Sequence, residues 1–346
     1  MQRSCVGIHV IWIALFGGDR QEPPPRIQLR LAEVQFRVGS GTTTPTEPFG
    51  SIESARFVSE TVIVLDGRRP GLFHFSSRGR QIEVVGRSGS GPGEMHEPTV
   101  LQVAPGGRAI LLDRALLRLT HYEYSGGKFR LVSTTRLEDD GTESFCLLRG
   151  QLIAYGYNAS TGRILHVLKD GTRSSSWGDT LFAGGPRINS IATGGAVLCL
   201  EREGMVVIAP HLKGEIIAYS ESGALKWRTT LTDFVGPVVQ GVARGGVLFG
   251  RQPGSKVAHG TIGVHRLNDE FLLVQTGVRS DEHRGRDFDY ERVDSRILRI
   301  VDGVEISRVT DLPVILDVSL GRVLVAGGEP DLWLEMRSYK LVRTGR

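Results

Sequence analysis

The densest store of reactive side chains lies in residues 279–296, RSDEHRGRDFDYERVDSR. Asp281, Glu282, His283, Asp287, Asp289 and Glu291 fall in this stretch. Carboxylates and an imidazole at such density could ligate a metal ion or exchange protons as acid and base. Arg284, Arg286, Arg292 and Arg296 lie among and beside them. A solvated loop of mutually neutralising ion pairs is therefore the competing reading. The spacing is not that of a calcium loop, because the glycine and the closing Glu fall in the wrong places. Asp281, His283, Asp287 and Tyr290 stand as the candidate ligand contacts of this segment.

A second store is the glycine-rich stretch 86–98, GRSGSGPGEMHEP. Successive backbone amides in such a loop can cradle a phosphate. No helix pattern follows it and no G-K-[ST] closes it, so the glycines suit a chain crossing between two structural units. Glu94 and His96 remain as polar candidates for ligand contact. The sequence holds no G-x-S-x-G, H-E-x-x-H, paired C-x-x-C or Walker pattern. No catalytic residue can be assigned, no cofactor is expected, and the metal-binding question stays open.

The elements that position these groups are strands in a repeat. Residues 51–86 and 98–137 each contain an apolar run ending in Leu-Asp, with Asp66 and Asp113 47 positions apart. In both units an aromatic-rich strand, a Gly-containing turn and an alternating strand follow. Four short strands at this spacing mark a β-propeller blade. An Asp that recurs in each unit is expected to accept backbone N–H bonds in the turn after it, not to catalyse. Units 144–177 and 189–231 continue the array, and a longer fifth spans 238–312. In the fifth, residues 271–275 and 297–300 are strands and 279–296 is an inserted loop.

A propeller must close its ring. The end of the first strand, VQFRVGSG, matches the end of the next unit, VVGRSGSG. Residues 27–39 are therefore expected to supply the outer strand of a last blade whose other three strands lie in 314–341. That makes an all-β, six-bladed β-propeller over 27–346, and at roughly 50 residues per blade seven is the alternative count.

The run GRSGSGPGEMHEP resembles the opening of NHL repeats. It is most similar to bacterial exported six-bladed β-propeller proteins, with Met95 where that family usually has Phe. The resemblance covers residues 51–137 best and implies fold more than function. Residues 218–231, AYSESGALKWRTTL, are similar to a strand pair of quinoprotein-like propellers, which implies that Trp227 packs between adjacent sheets.

The chain has 346 residues, 40% hydrophobic and 23% charged, with a net charge of +4. Its basic residues are scattered among acidic ones, unlike the clustered stripe with stacking aromatics of a nucleic-acid groove. Residues 1–18 read as a signal peptide, with Arg3 before an apolar run over 5–16. That run is too short to span a bilayer. Residues 19–26 form a Pro-rich linker. Cys146 and Cys199 each sit in an apolar strand and are expected as buried free thiols. The sequence thus points to a monomeric, exported (periplasmic or extracellular) and non-catalytic binding or scaffold module. A protein, peptide or glycan would bind one propeller face, with no nucleic acid and no membrane span. The rival readings are a cytoplasmic location and a metal-dependent hydrolase or lyase with its site at the central channel.

Overall fold

The computed structural model describes residues 26–39, 49–138, 141–242, 246–279, 290–319, 321–328 and 332–344. The expected signal peptide and all but the last residue of the linker lie outside them. Six four-stranded antiparallel sheets form the blades. The closing blade contains β1 (Arg26–Gly39), described below with its partners. The first full blade is β2 (Ser54–Val58), β3 (Thr61–Asp66), β4 (Gly71–Phe75) and β5 (Gln81–Val85); the second is β6 (Pro98–Val103), β7 (Ala109–Asp113), β8 (Arg118–Ser125) and β9 (Lys128–Arg136). The third is β10 (Ser144–Leu148), β11 (Gln151–Asn158), β12 (Arg163–Lys169) and β13 (Thr172–Trp177). A short helix α1 (Pro186–Ala192) precedes the fourth, which is β14 (Gly195–Leu200), β15 (Met205–Pro210), β16 (Glu215–Ser220) and β17 (Leu225–Thr230). A two-stranded ribbon, β18 (Val238–Val242) with β19 (Gly246–Gly250), then precedes the fifth blade. That blade is β20 (Ala258–Arg266), β21 (Phe271–Arg279), β22 (Arg292–Arg299) and β23 (Glu305–Val309).

The expected fifth unit is thus corrected: its first part is a separate ribbon outside the six blades. The inserted loop is also shorter than expected, because Arg279 ends β21 and Arg292–Arg299 is strand β22. Alternating charges disguised the strand. Arg296 is 3% exposed and lies 3.4 Å from Glu305 on the neighbouring strand.

The last blade has the order β24 (Val314–Ser319), β25 (Arg322–Gly327), β26 (Trp333–Thr344), β1. β1 pairs antiparallel with β26 from Arg26↔Thr344 to Gly39↔Trp333, so the N-terminal strand closes the ring as expected. Glu335 is fully buried and accepts from Arg37 Nε at 2.5 Å and Arg337 Nε at 2.7 Å, one arginine from each strand of the closing pair.

The core is not inside any blade but between blades. Alternate residues of a strand face opposite sides of its sheet, so each sheet feeds two boundaries. On β3, Val62 and Val64 pack toward the closing blade, while Ile63 and Leu65 pack toward the second. Six apolar clusters result. β1 serves two of them: Phe36 and Val38 enter one, Ile27 and Leu29 the other. Trp227 fills the boundary between the fourth and fifth blades as expected, and its Nε1 donates to Ile300 O at 2.9 Å. Asp66 and Asp113 accept from the turns after them, Arg69 N at 2.9 Å and Leu116 N at 3.1 Å. They also bind the incoming connection, through Gly50 N at 2.7 Å and His96 N at 2.7 Å.

Cys146 and Cys199 are not free thiols. They form a disulfide with Cα atoms 5.5 Å apart and a sequence separation of 53. One lies on β10 and the other on β14, and the ring sets these inner strands side by side. The apolar setting of each cysteine was legible in sequence, but the contact between two inner strands was not. Replacing both cysteines with serine is expected to lower unfolding stability by about 2–4 kcal/mol. Urea unfolding checks this, and an unchanged midpoint would show that the boundary holds without the bond.

Candidate functional site: the central channel and the upper face

The inner strands β2, β6, β10, β14, β20 and β24 contact one another around a ring. They enclose a channel with a cavity of about 490 Å³. Each inner strand leaves one edge unpaired within its own sheet, and side chains of the neighbouring blade cap several of these groups. Phe57 N donates to Asp317 Oδ2 at 2.8 Å, Arg56 Nη1 to Leu316 O at 2.8 Å, and Gln102 Nε2 to Phe145 O at 2.9 Å. Ile315 N donates to Gln275 Oε1 at 2.7 Å from the second strand of the fifth blade. The disulfide lines the same channel.

Two groups in the channel carry unusual electrostatics. Burial, reinforced by the positive charge of Arg56, pushes the His265 imidazole down to about 3. Burial pushes the Asp317 carboxyl up, against the pull of Arg56 and the N–H of Phe57. His265 Nε2 and the hydroxyls of Thr99 and Thr261 have no hydrogen-bond partner among the described residues. A polar cavity of this size admits water, which can serve all three. β-Bulges interrupt β20 between Thr261 and Gly263 and β24 between Ile315 and Asp317. Such bulges re-aim side chains, and His265 and Asp317 lie at or just beyond them. Sequence reading missed these groups because inward strand positions carry no local signal of the ring.

Among the described residues, no three His, Cys, Asp or Glu side chains stand close enough to hold a metal ion. The donor set of the metal-dependent alternative is not assembled there.

The connections that lead into the inner strands lie on one face, called the upper face below. It carries α1, the β18–β19 ribbon, and Tyr290 just before β22. His211, from the β15–β16 turn, hydrogen-bonds Thr261 O through Nδ1 at 2.8 Å, and burial pushes its imidazole down. Of the sequence candidates, Glu94, His96 and Tyr290 sit on this face, on two separate connections. Glu94 accepts from Gly91 N at 2.8 Å and from Arg87 Nε at 2.9 Å, so its carboxylate fastens the 86–98 loop to itself. Those bonds hold its carboxyl below the usual range. His96 is exposed on the same connection, with its backbone N–H on Asp113. Tyr290 lies against Gly277 so closely that any Cβ there would collide with its ring, and the Arg279 guanidinium stacks 4.7 Å above it. Asp281, His283 and Asp287 lie outside the described residues.

The buried imidazole yields a pH prediction. A folded-state value of about 3 for His265 lies below the unfolded value, which is about 6.5. The stability it contributes is therefore present above about pH 6.5 and lost as pH falls toward 3. His265→Gln is expected to flatten the fall in urea midpoint across that window. An unaltered acid slope would contradict the assignment.

Residues 41–182 match the family model described as a 6-bladed beta-propeller. No functionally curated protein matches the chain in sequence. Among solved structures, a member of the DUF4221 family from Bacteroides vulgatus is 7% identical with a TM-score of 0.62, over 93% of this chain and all 100% of that one. A candidate exported protein of Bacteroides fragilis is 11% identical with a TM-score of 0.56, over 92% of this chain and 96% of that one. At such identities the likeness is one of fold: the chain is a six-bladed β-propeller. No helix among the described residues is long and apolar enough to cross a membrane.

Proposed function

We propose that the chain is an exported, non-catalytic binding module whose ligand, a protein, peptide or glycan, meets the upper face around the channel mouth. The observation that carries this is where the fold departs from a bare propeller. The helix and the ribbon are both additions to connections on that face. They touch each other and present Ile191, Leu248 and Phe249 at 50%, 58% and 49% exposure. Scattered apolar side chains on a propeller's outer strands need no explanation; a set gathered on added elements beside a channel mouth suits a contact surface. Export is supported by the apolar N-terminal run behind Arg3, by the disulfide, since such bonds persist in oxidising compartments, and by the exported character suggested for one structural neighbour.

Two outcomes test this. Intact mass of protein recovered from the native cell envelope is expected to show a chain beginning between residues 17 and 26, within the usual signal length of roughly 15–30 residues. Full-length chain in the cytosol would oppose export. A ligand found by screening peptides and glycans should lose affinity when residues 280–289 are replaced with a Gly/Ser linker, while stability shifts by no more than about 0.5 kcal/mol. A ligand indifferent to that replacement, and to Leu248→Ser with Phe249→Ser, would place recognition on another surface.

A further inference from the structure

The repeat places Glu53, Glu97 and Glu143 immediately before the inner strands of three successive blades. Their surroundings differ for a reason visible in sequence. In the first blade the Glu53 carboxylate folds over Gly67, where an added Cβ would stand 2.6 Å from its Oε1. Forty-seven positions on, the matching residue is Arg114. A side chain there denies Glu97 the same fold. Arg114 instead crosses the blade boundary and its Nη2 meets Glu143 Oε1 at 2.9 Å. Glu97 is left exposed, its carboxylate in no hydrogen bond or ion pair with the described residues.

A trough opens around these groups between the second and third blades. One hollow of about 450 Å³ continues into another of about 320 Å³, and the two share Leu137 and Thr142 in their walls. Thr142 is only 7% exposed, but its hydroxyl is not among the buried unpartnered atoms: it opens to solvent in the trough and makes no hydrogen bond to the described residues. Burial and the neighbouring charge of Glu97 push the Glu143 carboxyl up, with Arg114 opposing.

We propose that this trough is a binding site for a neutral oligosaccharide. This rests on the binding-module reading above and gives it a place and a ligand class. A sugar presents hydroxyls that donate and accept around its edge and C–H groups on its faces. The trough offers an acceptor in Glu97, a donor in Arg114, a hydroxyl of both kinds in Thr142, and an apolar strip in Leu117 and Leu137. Its size lies in the range of small-molecule sites. The charge of Arg114 is already met by Glu143 and Glu97 adds an unmatched negative charge, so anionic ligands are disfavoured.

Calorimetry of the full chain with neutral gluco-, manno-, galacto- and xylo-tetraoses tests this, with spermidine as the cationic comparison. At least one tetraose is expected to bind with an affinity that does not change between low and high salt. Thr142→Val and Glu97→Gln should each weaken it about tenfold, the worth of one good hydrogen bond, without moving the melting temperature. Arg56→Lys in the channel should leave it unchanged. The proposal is overturned if no tetraose binds, if both trough variants bind as the parent does, or if spermidine alone binds and is displaced by salt. Failure here, with a screened ligand still dependent on residues 280–289, would remove the carbohydrate and keep the binding module. Loss of both would remove the two together.

Discussion

Everything in this molecule depends on the antiparallel pairing of β1 with β26. A propeller's cores lie between blades, so a ring that is not closed leaves two faces uncovered. β1 closes it with side chains that enter two of the six boundary clusters, Ile27 and Leu29 on one side and Phe36 and Val38 on the other. Fully burying an aliphatic or aromatic side chain is worth about 1.5–3 kcal/mol, so these four residues rival the whole margin by which a domain of this kind stays folded. The same pairing neutralises Glu335, a carboxylate with no exposure that is held between Arg37 and Arg337. Without β1 that buried charge would keep only one of its two arginines.

Closure also explains the character of the channel. Inner strands held in a ring cannot complete their hydrogen bonding within their own sheets, and the sequence answers differently at each boundary. Asp317 caps Phe57 between the last and first blades; Gln102 reaches Phe145 between the second and third; a disulfide joins the third and fourth; Gln275 holds Ile315 between the fifth and sixth. Asp317, Gln102 and Gln275 are thereby committed to architecture. In the function proposed above, recognition falls to elements that are not part of the six blades, the helix α1 and the β18–β19 ribbon on connections of the upper face.

The fold was legible because a propeller repeats. Leu-Asp at residues 65–66 and 112–113 marked the second strand of two blades, and the echo of VQFRVGSG in VVGRSGSG marked the closing strand. The fifth blade was harder because β22 is rich in charge. Arg296 looks solvated in sequence and is buried by its place in the sheet. The disulfide and the channel groups were illegible for one reason. Which inner positions face one another depends on strand register around the ring, and no local pattern records register. The trough lies between these extremes. The exchange of Gly67 for Arg114 at matching repeat positions is visible in sequence, but its consequence, an arginine reaching into the next blade and a carboxylate left over, needs three dimensions.

The central claim is that β1 completes the ring. Thermal unfolding of a chain beginning at residue 40 measures it most directly, with and without a synthetic peptide of residues 26–39. Without the peptide the shortened chain should show no cooperative transition, and added peptide should restore one whose midpoint rises with peptide concentration, as mass action requires. A shortened chain that melts cooperatively at the parent temperature, indifferent to the peptide, would contradict the account.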